Sequence, residues 1–175
     1  MVLFNLREEI LKEHSKAQCN KIVEWVGADQ QRFDLLFDLF LRNEYRVTQR
    51  AAWPLSYCVT AHPFLVKKGL SKLISNLSNP GLHDAVKRNT VRILQQIDIP
   101  EKYHGEVMTT CFQLVESPKE AVAVKAFALT VLGNLAKSYP AILPEIKILI
   151  EEQLPNQTPA FKSRAKQLVK MIDKL

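Results

Sequence analysis

Glycine-rich phosphate loops are absent from this sequence, which contains neither GxGxxG nor GxxxxGK[ST] and only five glycines in 175 residues. Nucleotide-dependent enzymes that use such loops are therefore disfavoured. The apolar residues, mostly Leu, Ile, Val and Ala, recur at helical spacing and do not alternate with polar ones as in a strand. The sequence therefore predicts an all-α protein.

Cysteine is scarce, and no CxxC pair occurs among Cys19, Cys58 and Cys111. Neither a disulfide framework nor a zinc finger follows from this odd, widely spaced set. Cys58 and His62 are four residues apart, but zinc usually needs three or four protein ligands. We therefore expect no metal, no cofactor and no catalytic residues.

Long hydrophobic runs are also missing, since the longest, residues 121–135, is interrupted by Lys125. It falls short of the roughly 20 residues that cross a bilayer. The start, MVLFNLREEILKEH, carries acidic residues and lacks the features of a signal peptide. We expect a cytoplasmic protein without a membrane span, and at this length a single helical-repeat domain over residues 1–175.

A weak repeat is present. TQRAAWPLSYCV from Thr48, VKRNTVRILQQI from Val86 and VKAFALTVLGNL from Val124 begin 38 residues apart, and SRAKQLVKMIDK begins 39 residues later at Ser163. SKAQCNKIVEWV from Ser15 is a plausible first copy. Each copy follows another segment of helical periodicity, and proline-containing turns separate the segments.

The chain is thus predicted to form five antiparallel helix pairs, because the connections between the helices are short. The predicted pairs are 3–13 with 15–26, 29–42 with 44–60, 62–77 with 82–98, 101–116 with 118–138, and 140–153 with 159–174. The helix predicted from Glu120 to Leu135 is apolar nearly all round, which is typical of a central helix. The last helix has one apolar stripe that includes Phe161, Ala165, Leu168, Ile172 and Leu175, which is typical of a C-terminal cap.

A period near forty with two helices per repeat resembles the HEAT-like repeat family. The resemblance rests on Val86-Lys87, Val124-Lys125-Ala126, Ser163-Arg164-Ala165 and Gln49-Arg50-Ala51-Ala52-Trp53. It implies an armadillo-type, right-handed α-solenoid whose second helices line a concave side. It also implies a non-enzymatic scaffold that binds a protein segment or an acidic surface.

The stretch TQRAAWPLSYCV places Trp, Tyr and Cys around a mid-helix proline. Aligned on the later copies, Pro54 takes the place of Arg92 and Thr130, and is expected to shape the curvature of its helix. Trp53 aligns with the apolar Val91 and Leu129, so we expect it in the core. Tyr57 aligns with Gln95 and Gly133, at positions free to face a groove.

Charge is concentrated in the middle of this basic protein of net charge +6. Residues 45–92 hold eight basic residues and one acidic residue, Asp84, which we expect to cap a helix. The candidate ligand-binding residues are Arg50, Tyr57, Lys87, Arg88 and Arg92, followed by Trp53, Lys67, Lys68, Lys72, Lys162, Lys166 and Lys170. As an equal alternative, these cations are ordinary solvated residues with alkyl stems covering apolar neighbours.

Two functions remain open. In the first, the groove binds a protein partner; in the second, the basic block neutralises the phosphates of a nucleic acid while Tyr57 or Trp53 stacks on a base. Some HEAT-like proteins are glycosylases of alkylated DNA bases, but Asp84 would be the only carboxylate of the middle block. The sequence predicts no oligomeric state.

Overall fold

Ten α-helices make up most of the part of the chain that this computed structural model describes, residues 4–42, 44–79, 81–156 and 158–172. They are α1 (Leu6–Lys12), α2 (Lys16–Val26), α3 (Gln30–Leu41), α4 (Tyr45–Ala61), α5 (Leu70–Asn76), α6 (Asp84–Leu94), α7 (His104–Glu116), α8 (Val122–Ala136), α9 (Leu143–Gln153) and α10 (Pro159–Ile172). The 3-10 segments Pro63–Gly69, Glu101–Tyr103, Pro140–Ile142 and Leu154–Asn156 precede or follow these helices. No strand occurs within these ranges, so the all-α prediction is confirmed.

Local signals explain where the first helices begin. The side chains of Asn5, Ser15 and Asp29 each accept a hydrogen bond from a backbone N–H three residues later. Such caps satisfy N–H groups that have no partner inside the helix. Before α6 this role belongs to His83, whose Nδ1 accepts from the Ala85 N–H at 3.0 Å. The prediction that Asp84 is the cap was therefore wrong, because Asp84 already lies in the first turn.

The chain divides into two compact units, and the boundary between them falls between Ile93 and Leu94 inside α6. In the first unit, α1 packs on α2 and α3 on α4, and the second helices α2 and α4 also touch each other. In the second unit, α7 packs on α8 and α9 on α10, and α8 also packs on α10. The expectation of a single domain remains a prediction.

Each unit has an apolar core. Phe33, Phe40 and Leu55 are at most 1% exposed in the first unit, and Phe161 is fully buried in the second. Full burial of one such side chain contributes roughly 1.5–3 kcal/mol. Ten residues of α8 are buried, including Lys125, which confirms the prediction of a helix that is apolar nearly all round. No described helix is both long and apolar enough to cross a bilayer.

The burial pattern corrects the alignment of the repeats. Buried residues at spacings of four and three begin at Val47, Val86, Val124 and Phe161, which lie 39, 38 and 37 residues apart. In this register Trp53, not Pro54, is equivalent to Arg92 and Thr130. Pro54 instead takes the buried place of Ile93 and Val131, and α4 continues through it to Ala61.

Trp53 is accordingly half-buried, and the prediction that it belongs to the core was wrong. A slip of one residue in the repeat alignment had moved it to a position whose counterparts are fully buried. Of the apolar stripe predicted for the last helix, Phe161, Ala165 and Leu168 are buried. Leu175 and the side chain of Ile172 lie outside the described residues.

Candidate functional site

A row of aromatic and cationic side chains lies in the first unit, on α4, on α6 and in the segment between α1 and α2. Trp53 and Tyr57 are one turn apart on α4, with ring centroids 6.3 Å apart in an edge-to-face arrangement. The imidazole of His14 is 5.7 Å from the Trp53 ring, and the guanidinium of Arg92 from α6 lies over Tyr57 at 5.6 Å. We call these four residues the aromatic row.

The aromatic row is exposed in part. His14 is exposed, and Trp53, Tyr57 and Arg92 are half-buried. Aromatic pairs of this geometry are worth about 0.5–1.5 kcal/mol beyond the area they bury, and a cation over a ring adds about 0.5–1 kcal/mol at an exposed site. These contacts hold the rings in place while part of each ring faces solvent.

Arg50 lies three residues before Trp53 on the same helix but has a structural contact. Its Nη1 donates to the backbone carbonyl of Leu11 at 2.6 Å, near the end of α1. Helix C-termini leave carbonyl groups without partners inside the helix, and a cation satisfies them well. This predicted ligand residue thus links α4 to the end of α1.

The other candidate cations of residues 45–92 do not all lie on second helices. Lys87 and Arg88 lie on the second helix α6, and Lys87 is 3.8 Å from Asp84. Lys67 and Lys68 lie in the 3-10 segment 63–69, before the helix α5 that carries Lys72.

Lys68 forms an ion pair with α3, the first helix of the preceding predicted pair, because its Nζ lies 2.8 Å from the Asp34 carboxylate. Its hydrogen bond, with a second from Gln30, lowers the pKa of the Asp34 carboxyl. Lys68, a candidate ligand residue, is therefore engaged by a carboxylate of the protein itself.

A pocket of about 170 Å³ lies between α8 and α10 in the second unit. Leu129, Gly133 and Leu168 give it an apolar, buried surface. The remaining lining residues are polar: Thr130, Asn134, Arg164 and Gln167.

Arg164 is held at the pocket by uncharged groups. Its Nη1 donates to Thr130 Oγ1 at 2.8 Å and to Gln95 Oε1 at 3.1 Å, and its guanidinium lies over the Phe127 ring at 5.0 Å. The sequence prediction did not select Arg164 as a ligand residue. A signal was present, because this cation stands between Phe161 and Leu168 in the apolar stripe of the last helix.

The three lysines of α10 that were predicted as ligand residues lie outside the pocket. Lys166 and Lys170 are exposed, and Lys162 is half-buried. None of the three lines the pocket. They leave Arg164 as the cation of α10 that faces it.

Buried titratable groups elsewhere are enclosed and not accessible. The Lys125 Nζ donates to Gln153 Oε1 at 3.0 Å, and burial lowers the pKa of this ammonium although Glu120 opposes the change. Burial also raises the pKa of the Cys58 and Cys111 thiols to about 12. A thiol of this kind is a poor nucleophile.

The histidines and acidic residues do not gather around a common point. Within the described ranges, no group of three or more His, Cys, Asp or Glu side chains could hold a metal ion. His104 is placed between the Ile99 carbonyl, 2.6 Å from Nε2, and the Tyr139 hydroxyl, 3.0 Å from Nδ1. His62 ends α4, and the neighbouring Cys58 is fully buried.

Comparison with known proteins agrees with this architecture. A family model described as a HEAT repeat domain matches residues 6–172. No curated protein and no solved structure gave a significant match. Since the family model spans nearly the whole sequence, the chain belongs to the HEAT repeat family.

Proposed function

We propose that this protein is a non-enzymatic interaction module whose aromatic row binds a segment of a partner protein. The observation that carries the proposal is the arrangement of Trp53, Tyr57 and Arg92, half-buried side chains fixed by ring and cation contacts. HEAT repeats commonly serve as protein-interaction scaffolds. Fold alone does not give a function, so the proposal depends on this surface.

The residue types of the row suit protein recognition. Trp, Tyr and Arg are the residues most enriched among those that dominate binding energy at interfaces. Here their conformations are fixed before binding, which lowers the entropy lost on association. Arg88 lies one turn before Arg92 on α6, and both favour a partner segment that carries acidic residues.

Nucleic-acid binding is the second candidate, favoured by the Arg92 guanidinium over the Tyr57 ring next to Trp53. Bases stack well on such surfaces. The engagement of Arg50 by a carbonyl and of Lys68 by Asp34 weakens this candidate, because both cations have protein partners.

A glycosylase reaction at the row has less support. Asp84 is eight residues before Arg92 on α6, so about 12 Å of helix axis separates them at 1.5 Å per residue. Its side chain is 64% exposed and lies near Lys87. A carboxylate at that end of the helix is badly placed to act on a base stacked on Tyr57.

Photo-crosslinking in native lysate tests the proposal. Tyr57 is replaced by benzoyl-phenylalanine, which keeps an aromatic ring at this position, and Leu35, an exposed residue of the first helix α3, is replaced in a control protein. We expect discrete protein adducts from position 57 that disappear when Trp53 and Arg92 are also changed to Ala. Equal adducts from both positions would contradict the proposal.

The same adducts separate the two candidates. Nuclease treatment before electrophoresis will leave protein adducts unchanged and will shift or remove nucleic-acid adducts. In parallel, anisotropy with labelled single-stranded DNA, duplex DNA and RNA at roughly 50 and 200 mM salt measures phosphate-dependent affinity. Salt-sensitive micromolar binding that is lost in Arg88→Ala and Arg92→Ala would establish the nucleic-acid function instead.

A further inference from the structure

The geometry of the second unit points to another binding site. We propose that the pocket between α8 and α10 binds a glutamate side chain of a partner protein segment, with its carboxylate on Arg164 and its methylene groups on the apolar surface. This inference rests on the proposed function, since it takes the partner to be a protein. It concerns different residues from the aromatic row.

The positive charge of Arg164 has no ion-pair partner in the part of the chain that the structure describes. Within the described parts of the chain, no carboxylate oxygen lies within 4.0 Å of its guanidinium, and the two hydrogen bonds found for it both use Nη1 and neutral acceptors. A guanidinium has five N–H donors, so donors remain on its other nitrogens. The sequence from residue 153 onward adds four lysines and only one acidic residue. An anionic ligand is therefore favoured.

The orientation of Arg164 is already fixed. Thr130 and Gln95 accept from Nη1, while the Phe127 ring supports the face of the guanidinium. A planar guanidinium held in this way can bind a carboxylate through two parallel hydrogen bonds. Little side-chain entropy is lost on binding, because the rotamer does not have to be selected.

Size and polarity select among anions. A pocket of about 170 Å³ has room for roughly six water molecules at about 30 Å³ each, more than a single small ion fills. The surface formed by Leu129, Gly133 and Leu168 suits aliphatic groups. A glutamate combines two methylene groups with a carboxylate, whereas a phosphate has no apolar part and an aspartate is shorter.

Titration of the ¹⁵N-labelled full chain with blocked peptides tests the site. The probe is acetyl-Ala-Leu-Glu-Leu-Ala-amide, and its control carries Gln in place of Glu. We expect saturable shifts of the Arg164 Nε–H, the Gly133 amide and the Asn134 side-chain amide, with millimolar affinity. The Gln peptide should bind at least about ten-fold more weakly, since it keeps the shape of Glu but loses the charge that strengthens hydrogen bonds to the guanidinium.

Three variants define the role of the pocket. Arg164→Gln removes the charge and should weaken the Glu peptide about ten-fold. Gln167→Trp fills the entrance from an exposed position without touching the hydrogen bonds of Arg164, and should abolish binding. Lys166→Gln removes a charge from the same helix outside the pocket, and should leave affinity within about two-fold. Far-UV circular dichroism and a thermal scan confirm folding of each variant.

Several results would overturn the inference. These are equal affinity for the Glu and Gln peptides, shifts that avoid the pocket, no shifts up to about 10 mM peptide, or full affinity in Gln167→Trp. Tighter binding of inorganic phosphate at the same signals would assign the site to phosphate groups instead. Crosslinking at Tyr57 without peptide binding here would refute only this inference, whereas loss of protein adducts at Tyr57 would refute the function on which it rests.

Discussion

Gly69 makes close contact with the core, and replacing it with alanine tests how tightly the first unit is packed. A Cβ atom at this position would lie 2.7 Å from both Cε1 and Cζ of Phe37, whereas ordinary contacts begin near 3.4 Å. The ring cannot turn away easily, because Phe37 is 4% exposed and packs at 6.0 Å from the Phe33 ring. Either the ring or the backbone of residues 63–69 has to move.

The expected loss of stability follows from two opposing contributions. Overpacking of this kind costs about 1–3 kcal/mol, and the lower entropy of the unfolded alanine chain returns about 0.4–1 kcal/mol. Taking the middle of each range, about 2 and about 0.7 kcal/mol, Gly69→Ala should lower the free energy of unfolding by about 1–2 kcal/mol. In a chain of this size that corresponds to a fall in Tm of roughly 2–8 °C. Urea and thermal denaturation followed by circular dichroism measure both quantities.

Gly105→Ala is the matched control, because a Cβ there meets nothing within 4 Å and the residue lies in the first turn of α7. It should raise stability by about 0.5–1 kcal/mol. In a Phe37→Leu background the cost of Gly69→Ala should fall by at least about 1 kcal/mol, since the ring is gone. An unchanged cost in that background, or a Gly69→Ala protein as stable as the wild type, would show that the contact with Phe37 is not the cause.

Three further perturbations test buried groups. Lys125→Met should raise the free energy of unfolding at pH 7, and this gain should shrink as the pH rises toward 10.5. The folded-state pKa of Lys125 lies below 10.5, so between the two pKa values the unfolded chain binds the extra proton and the wild type becomes more stable. A gain that stays constant in denaturation experiments from pH 7 to 10 would contradict this. Thr90→Val should leave the free energy of unfolding unchanged or raise it by up to about 1 kcal/mol, because the buried Thr90 hydroxyl has no hydrogen-bond partner in the described structure. The control Thr109→Val, at an exposed site, should change it by less than about 0.5 kcal/mol. All three thiols should resist an aromatic disulfide reagent at pH 8 in the folded protein and react at once in denaturant. Burial raises the pKa of Cys19 to about 11 and the pKa of Cys58 and Cys111 to about 12. Rapid reaction of any thiol in the folded protein would refute this.

The positions of the helices along the chain were predictable because they depend on local signals. Helical periodicity placed every segment, and the proline-containing turns separated them within a few residues. The largest difference is in the helix predicted over 62–77, because residues 63–69 form a 3-10 segment and the α-helix begins only at Leu70. Elsewhere the helix ends differ by up to four residues, as at Leu94, where the predicted end was residue 98. Such ends depend on backbone hydrogen bonds that residue type alone does not specify.

The candidate sites were less predictable, for two physical reasons. The position of Trp53 in the repeat was misjudged because residue identities align its repeat with the later ones one residue out of register. Only the burial pattern distinguishes this alignment from the correct one. The role of Arg164 depends on Thr130 and Gln95, which are 34 and 69 residues away in the chain. A pocket formed by two helices is a tertiary property and leaves little trace in the local sequence.

The corrected register connects the two proposed sites. Counted from the buried residues that start each pattern, one position of the second helix is occupied by Trp53, Arg92, Thr130 and Gln167 in successive repeats. The neighbouring buried positions must remain small or apolar to fill the core, whereas this position lies at the border of the core and is not fully buried in any repeat. It is therefore free to vary in chemistry, and it contributes two residues to the aromatic row and two to the pocket on α8 and α10. The same place in the repeat thus supplies an aromatic ring and a cation to one surface and polar groups to the other, which is how a uniform helical scaffold can present two sites of different specificity.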